Sequence, residues 1–234
     1  MKKTSVCVLL ACLLMASSAA ATPAVSVKRN VGYFAGDGGE FTLTPNSELA
    51  ALLGSAAKFG SFCLEIEEPV GSKGQKYNVE INDEALGGGT ITDEPLGDEG
   101  GDTLNDLTAY LYSEFRAGTL AGYNYVAGDD RAASAGALQN VVWYLEDEAG
   151  MTWTPDDGSL EDQFYKNASD AVAAGWTNDG SVVVLNLYTV NVDGSITPNQ
   201  SMIGLIPTIP APGAIVLCAL GSCVVGFLRR RHMM

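Results

Sequence analysis

Apolar positions alternate with polar ones, or run between turn residues, in five short stretches: residues 32–34, 40–44, 61–66, 77–81 and 181–190. β-branched and aromatic residues dominate them, so they predict strands. Between the fourth and fifth the period changes. Leu104, Leu107, Leu111 and Phe115 recur at helical spacing and predict a helix over residues 104–117. A second helix is expected over residues 135–148 with Ser134 as its N-cap. A third follows Ser159, where Leu160, Phe164, Ala168 and Val172 form one apolar stripe. Strands first, helices in the middle and strands last imply an α+β fold, a β-rich sandwich or barrel with a helical insertion.

The two ends break this pattern. Residues 1–21 have Lys2 and Lys3, an apolar stretch and then Ala19, Ala20 and Ala21, the layout of a secretory signal peptide. Near the other end, residues 213–228 are mostly apolar and precede Arg229, Arg230 and Arg231. A helix of that length spans only about 24 Å against a hydrocarbon core of about 30 Å, and the arginines would stay on the cytoplasmic side. The expected division is therefore a signal peptide at 1–21, a folded body at 22–194, a linker at 195–209 and an anchor segment at 210–234. Pro210-Ala211-Pro212, the apolar stretch and the arginine cluster together resemble a PEP-CTERM sorting signal, with Pro-Ala-Pro in place of the usual Pro-Glu-Pro. That resemblance implies processing by an exosortase-type membrane transpeptidase in a Gram-negative bacterium. It also implies export to the cell surface or extracellular matrix, with at least transient membrane attachment through the C-terminal segment.

Composition narrows the chemistry. The 234 residues include 28 acidic and 13 basic side chains and a single histidine, His232. Between Thr22 and Ile209 the balance is 28 acidic to eight basic, a formal charge of −20. Nucleic acid is excluded as a partner on this ground. No histidine-based triad or histidine-bound zinc can be built in the body. Acidic clusters at Asp98, Glu99 and Asp102, at Asp129 and Asp130, and at Asp156 and Asp157 lack the spacing of an EF-hand or a nonapeptide repeat. Calcium at these clusters is the minor reading, and no cofactor is expected.

Of five cysteines, Cys7 and Cys12 lie in the signal peptide and Cys218 and Cys223 in the apolar tail, so the body keeps Cys63 alone. Exported proteins use cysteines in pairs, and an unpaired one is either packed and inert or kept for its reactivity. Cys63 occurs in Phe62-Cys63-Leu64-Glu65, where a strand would place it on the face opposite Phe62 and Leu64 and beside Glu65. Gln139 occurs in Leu138-Gln139-Asn140-Val141-Val142, near the expected start of the second helix.

Together these two motifs resemble the paired Cys and Gln motifs of bacterial thioester domains, found in surface adhesins. Further similar text lies between them: Thr108-Ala109-Tyr110-Leu111-Tyr112, Phe115, Gly118 to Gly122, and Tyr123. The resemblance implies that Cys63 and Gln139 form an internal thioester, with the helical insertion carrying the reactive glutamine. An amine on a partner, such as a surface-protein lysine or a polyamine, would then open the bond and become linked to Gln139. A polysaccharide hydroxyl is the weaker nucleophile. Such a module acts in adhesion or matrix crosslinking and is not an enzyme. Backbone N–H groups at the start of the second helix are expected as oxyanion donors, Glu65 as proton acceptor, and Tyr110, Tyr112, Trp143 and Tyr144 as candidate shields of the bond.

Two other classes compete. A noncovalent matrix or structural surface protein would need the same export signals and hold Cys63 as an inert packed residue. A carboxylate-based polysaccharide hydrolase would need two acids at a defined separation, and nothing in the sequence singles out such a pair.

Overall fold

The computed structural model describes residues 21–36, 38–71, 73–86, 101–148 and 153–207. The signal peptide, the C-terminal anchor segment, and Asp98 and Glu99 lie outside these, apart from Ala21 at the signal peptide's end.

The fold is an α+β arrangement built on one curled antiparallel sheet. Its strands are β1 (Ala24–Ala35), β2 (Gly38–Pro45), β3 (Phe59–Ser61), β4 (Lys73–Asn82), β7 (Val182–Val190) and β8 (Ile196–Leu205), in the spatial order β3-β2-β1-β4-β7-β8. A ribbon of β5 (Glu84–Ala85) and β6 (Asp102–Thr103) is tied to β7 by the Asn186 side chain, which accepts from the Leu86 N–H and donates to the Glu84 carbonyl. Four helices complete the chain: α1 (Ser47–Leu52), α2 (Asp106–Ala117), α3 (Asp129–Leu145) and α4 (Leu160–Ala173). β4 and β7 are hydrogen-bonded neighbours, so α2, α3 and α4 form an excursion between two adjacent strands.

The curl brings the two outer edges of the sheet together. Just after β3, the Leu64 N–H donates to the Ser201 carbonyl at 2.9 Å and the Ile203 N–H donates to the Phe62 carbonyl at 3.2 Å. Cys63 and Met202 are thereby paired across the junction. Two apolar layers result. The inner one takes Val25, Val27, Phe41, Leu43, Phe59, Cys63, Tyr77, Val79, Leu185 and Met202 from every strand of the sheet. The outer one packs Phe62, Leu64, Val182, Val184 and Ile203 against α2, α3 and α4. Period-two alternation sorts neighbours such as Phe62 and Cys63 to opposite faces, as their order in sequence predicts.

Local chemistry sets several of the ends. The Asn105 side chain caps α2 by accepting from the Leu107 N–H at 2.9 Å, and the helix stops at Gly118, whose φ of 77° suits glycine. Ser159 caps α4 as expected, accepting from the Asp162 N–H at 3.1 Å.

Two expectations are corrected. Residues 196–205, read as part of a linker, form β8, and Gln200, Ser201, Met202 and Ile203 are fully buried. Pro198 and the polar, exposed first half of the strand conceal it in the sequence. Helix α3 begins at Asp129 rather than after Ser134, whose hydroxyl instead donates to the Asp130 carbonyl at 2.8 Å. No side chain caps its start. A tertiary contact holds that first turn: Arg131 forms a two-pronged ion pair with buried Glu40 of β2, at 2.8 Å for each prong, and also donates to the Tyr125 carbonyl.

Candidate functional site

The register of β2 with β3 opposes Phe41 to Ser61 and Leu43 to Phe59. Continued by two residues, it would set Gly39 against Cys63. The strands part before that point, and α3 fills the opening. Cys63 turns one edge toward β8 without hydrogen-bonding to it, which leaves its own N–H and C=O pointing the other way.

Gln139 meets both of those groups. Its Oε1 accepts from the Cys63 N–H at 3.0 Å and its Nε2 donates to the Cys63 carbonyl at 2.7 Å. The carboxamide thus stands in for a missing strand partner, in a fully buried setting: Gln139 is 0% and Cys63 4% exposed. An apolar side chain here would strand two buried backbone groups at about 1–3 kcal/mol each. Gly38 makes room for the arrangement. A Cβ on it would stand 2.6 Å from both Gln139 Cγ and the rim of the Trp143 ring.

The two residues marked out by the sequence are therefore in contact. The surrounding expectations fare differently. Gln139 lies in the middle of α3, where backbone N–H groups are already spent on the helix, so the start of that helix supplies no oxyanion donor. The N–H directed at the carboxamide oxygen is that of Cys63 itself. Among the aromatic candidates, Trp143 stands beside the pair against Gly38. Tyr112 is tied to the Gly60 carbonyl, Tyr110 packs on Trp176, and Tyr144 packs on Trp153 and Tyr165 in the outer layer.

Glu65 is buried with its Oε2 unpartnered. Glu148 accepts from the Ile66 N–H at 2.9 Å. Burial, the hydrogen bond with Glu148 and the repulsion of Glu148, Glu68 and Asp102 push Glu65 up to about 8, so it holds its proton at neutral pH. The charges that act on Cys63 are Arg29 and Glu68, neither of which the sequence singled out. Burial drives the thiol well above its ordinary range, Arg29 draws it back and Glu68 pushes it further. Arg29 is brought near by strand register, through Phe41 to Ser61, which no sequence spacing announces.

No protein-family model, curated protein or solved structure matches this chain. Among the described residues, no group of three or more histidine, cysteine or acidic side chains is arranged to hold a metal ion. No described helix is long and apolar enough to cross a membrane. Asp129 and Asp130 form the first turn of α3, and Asp156 pairs with Lys166 at 3.3 Å.

Proposed function

We propose that this protein is an exported surface module whose helical insertion carries a reactive glutamine, with Cys63 and Gln139 closing into an internal thioester. The observation that supports this reading is the double hydrogen bond between the Gln139 carboxamide and the backbone of Cys63. A thiol and a carboxamide do not condense at a useful rate in water. Held as neighbours in a dry site they gain an effective concentration of about 10⁵ M or more. The Cys63 N–H, already on Oε1, is positioned to take up charge as sulfur adds to the carbonyl carbon. Ammonia then leaves, and burial keeps water from the product. An amine on a surface protein or a polyamine opens the bond, ending as an amide of Gln139 and freeing the thiol. A polysaccharide hydroxyl is the slower alternative. The role is adhesion or matrix crosslinking at the surface of a Gram-negative cell, with exosortase-type processing of the C-terminal segment.

One observation favours a second reading, a noncovalent matrix protein. Cys63 is buried in an apolar layer, and that burial raises its thiol, as for an inert packed cysteine. Intact mass separates the two. The bonded chain is lighter than the encoded one by one ammonia, and Cys63→Ala or Gln139→Ala removes the deficit. Added methylamine raises the mass by one whole methylamine only where the bond exists. A wild-type chain at its encoded mass after gentle purification would establish the second reading.

A further inference from the structure

β1 and β2 separate between two register points. Arg29 faces Phe41 and Phe34 faces Gly39, so residues 30–33 of β1 oppose Glu40 alone. This bulge is pinned to the start of α3, where the Gly128 N–H donates to the Gly32 carbonyl at 3.2 Å. Bulges re-aim side chains and are common beside binding sites. Here the bulge walls a cavity of about 270 Å³ shared by β1, β2, β3 and the first turn of α3.

Asn30 and Tyr33 of the bulge line the cavity together with Thr42, Lys58 and Arg131. Glu40 is there too, but its charge is matched: Arg131 holds it by both prongs and the Tyr123 hydroxyl donates to it at 2.8 Å. Arg131 is fixed in turn, 4.1 Å from the centre of the Tyr33 ring, with three of its five N–H groups engaged. Lys58 is exposed, and among the described residues no carboxylate pairs with it. Phe59 also lines the cavity, and Arg116 stacks over its ring at 4.9 Å while donating to the Tyr112 hydroxyl.

Three of the body's eight basic side chains therefore gather round one cavity that holds one carboxylate. Exposed charges more than about 8–10 Å away are largely screened at physiological salt, so the local balance governs what enters, not the acidity of the whole body. Asp129 and Asp130 lead into Arg131 without lining the cavity. The neutral groups narrow the choice further. Asn30 donates to Thr42 Oγ1 at 2.6 Å, which leaves the Asn30 carbonyl oxygen as an acceptor and the Thr42 hydroxyl as a donor. A bare carboxylate needs donors alone, whereas a ligand hydroxyl uses both.

We infer that this cavity recognises an acidic sugar, a uronic acid unit of a polysaccharide. Its carboxylate is taken by Lys58 and the unengaged N–H groups of Arg131, and its hydroxyls by Asn30, Thr42 and the Tyr33 hydroxyl. Recognition here needs no bond between Cys63 and Gln139, so it holds under either reading of that pair.

The test is titration calorimetry of the full chain with trisaccharides of galacturonic, glucuronic and mannuronic acid, each beside its methyl ester, which keeps the ring and loses the charge. At least one acid is expected to bind, and its ester at least about tenfold more weakly, the scale of one charge-assisted hydrogen bond. Lys58→Gln should weaken the acid by a similar factor and narrow its lead over the ester, while Asn30→Ala should weaken acid and ester alike. Lys166→Gln, which removes a cation from α4, should change neither. Lys58 is exposed, and an unchanged melting temperature checks that its variant folds. The inference is overturned if no acid binds, if acid and ester bind equally, or if Lys58→Gln or Asn30→Ala matches wild type. It is overturned as well if Lys166→Gln weakens binding as much as Lys58→Gln does, or if a glutamate tripeptide binds as tightly as the best sugar.

Discussion

Gly38 and Gln139 are packed so tightly that the glycine cannot carry a side chain without moving the glutamine or Trp143. Its backbone is also the anchor of Arg29, whose guanidinium donates to the Gly38 carbonyl at 2.9 Å. A single hydrogen atom for a side chain thus lets helix, strand and cation converge. Gly38→Ala is expected to destabilise the protein by about 1–3 kcal/mol, the range for overpacking a filled site. Denaturant titration measures this, and ammonia loss in the same variant should slow.

Removing the carboxamide tests what it contributes before any bond is formed. Gln139→Leu leaves the Cys63 N–H and C=O buried without partners and should cost about 2–6 kcal/mol. Cys63→Ser keeps the same backbone contacts and should cost clearly less. The comparison uses unfolding midpoints of the two variants at equal pH. Equal losses would mean that the glutamine is no more than packing.

Acidity should stabilise the folded body. Glu65, Glu68 and Glu146 are held at about 8, 7 and 7, with burial the leading cause in each, against an ordinary value of 4.5. A carboxyl whose pKa is raised by folding binds its proton more tightly in the native state. Its contribution is complete below the unfolded value and disappears as pH rises through the folded one. The melting temperature is therefore expected to fall between about pH 5 and pH 8, most steeply up to about 7, and to level off above that. Glu65→Gln should flatten the curve. A melting temperature that climbs over this range would contradict the burial of these groups.

The ion pair at the start of α3 should dominate over its own hydrogen-bonded neighbour. Glu40 is 3% exposed and is held by both prongs of Arg131 and by the Tyr123 hydroxyl at 2.8 Å. Arg131→Met leaves a buried carboxylate uncompensated and is expected to cost about 3–5 kcal/mol, whereas Tyr123→Phe should cost about 1 kcal/mol. Unfolding free energies of the two variants decide this order.

Much of this architecture is written locally, and some of it is not. The apolar stripe of α4 and the Ser159 cap are short-range signals, and both appear where the pattern puts them. The Cys63 and Gln139 motifs could be marked as a pair by resemblance, though nothing between them says that they touch. β8 was illegible because its buried half is fixed by β7 on one side and residues 62–64 on the other, contacts that no local pattern announces. The first turn of α3 is carried by Arg131 reaching Glu40 across the fold, not by a cap.

Cys63 and Gln139 are 76 positions apart, and β4, β5, β6, α2 and half of α3 are strung between them. No fragment shorter than nearly the whole body brings them face to face. If the pair closes as proposed, a chain caught half-assembled would carry no electrophile to wander onto bystander amines. Arming would come last, borne only by molecules that have finished their assembly correctly.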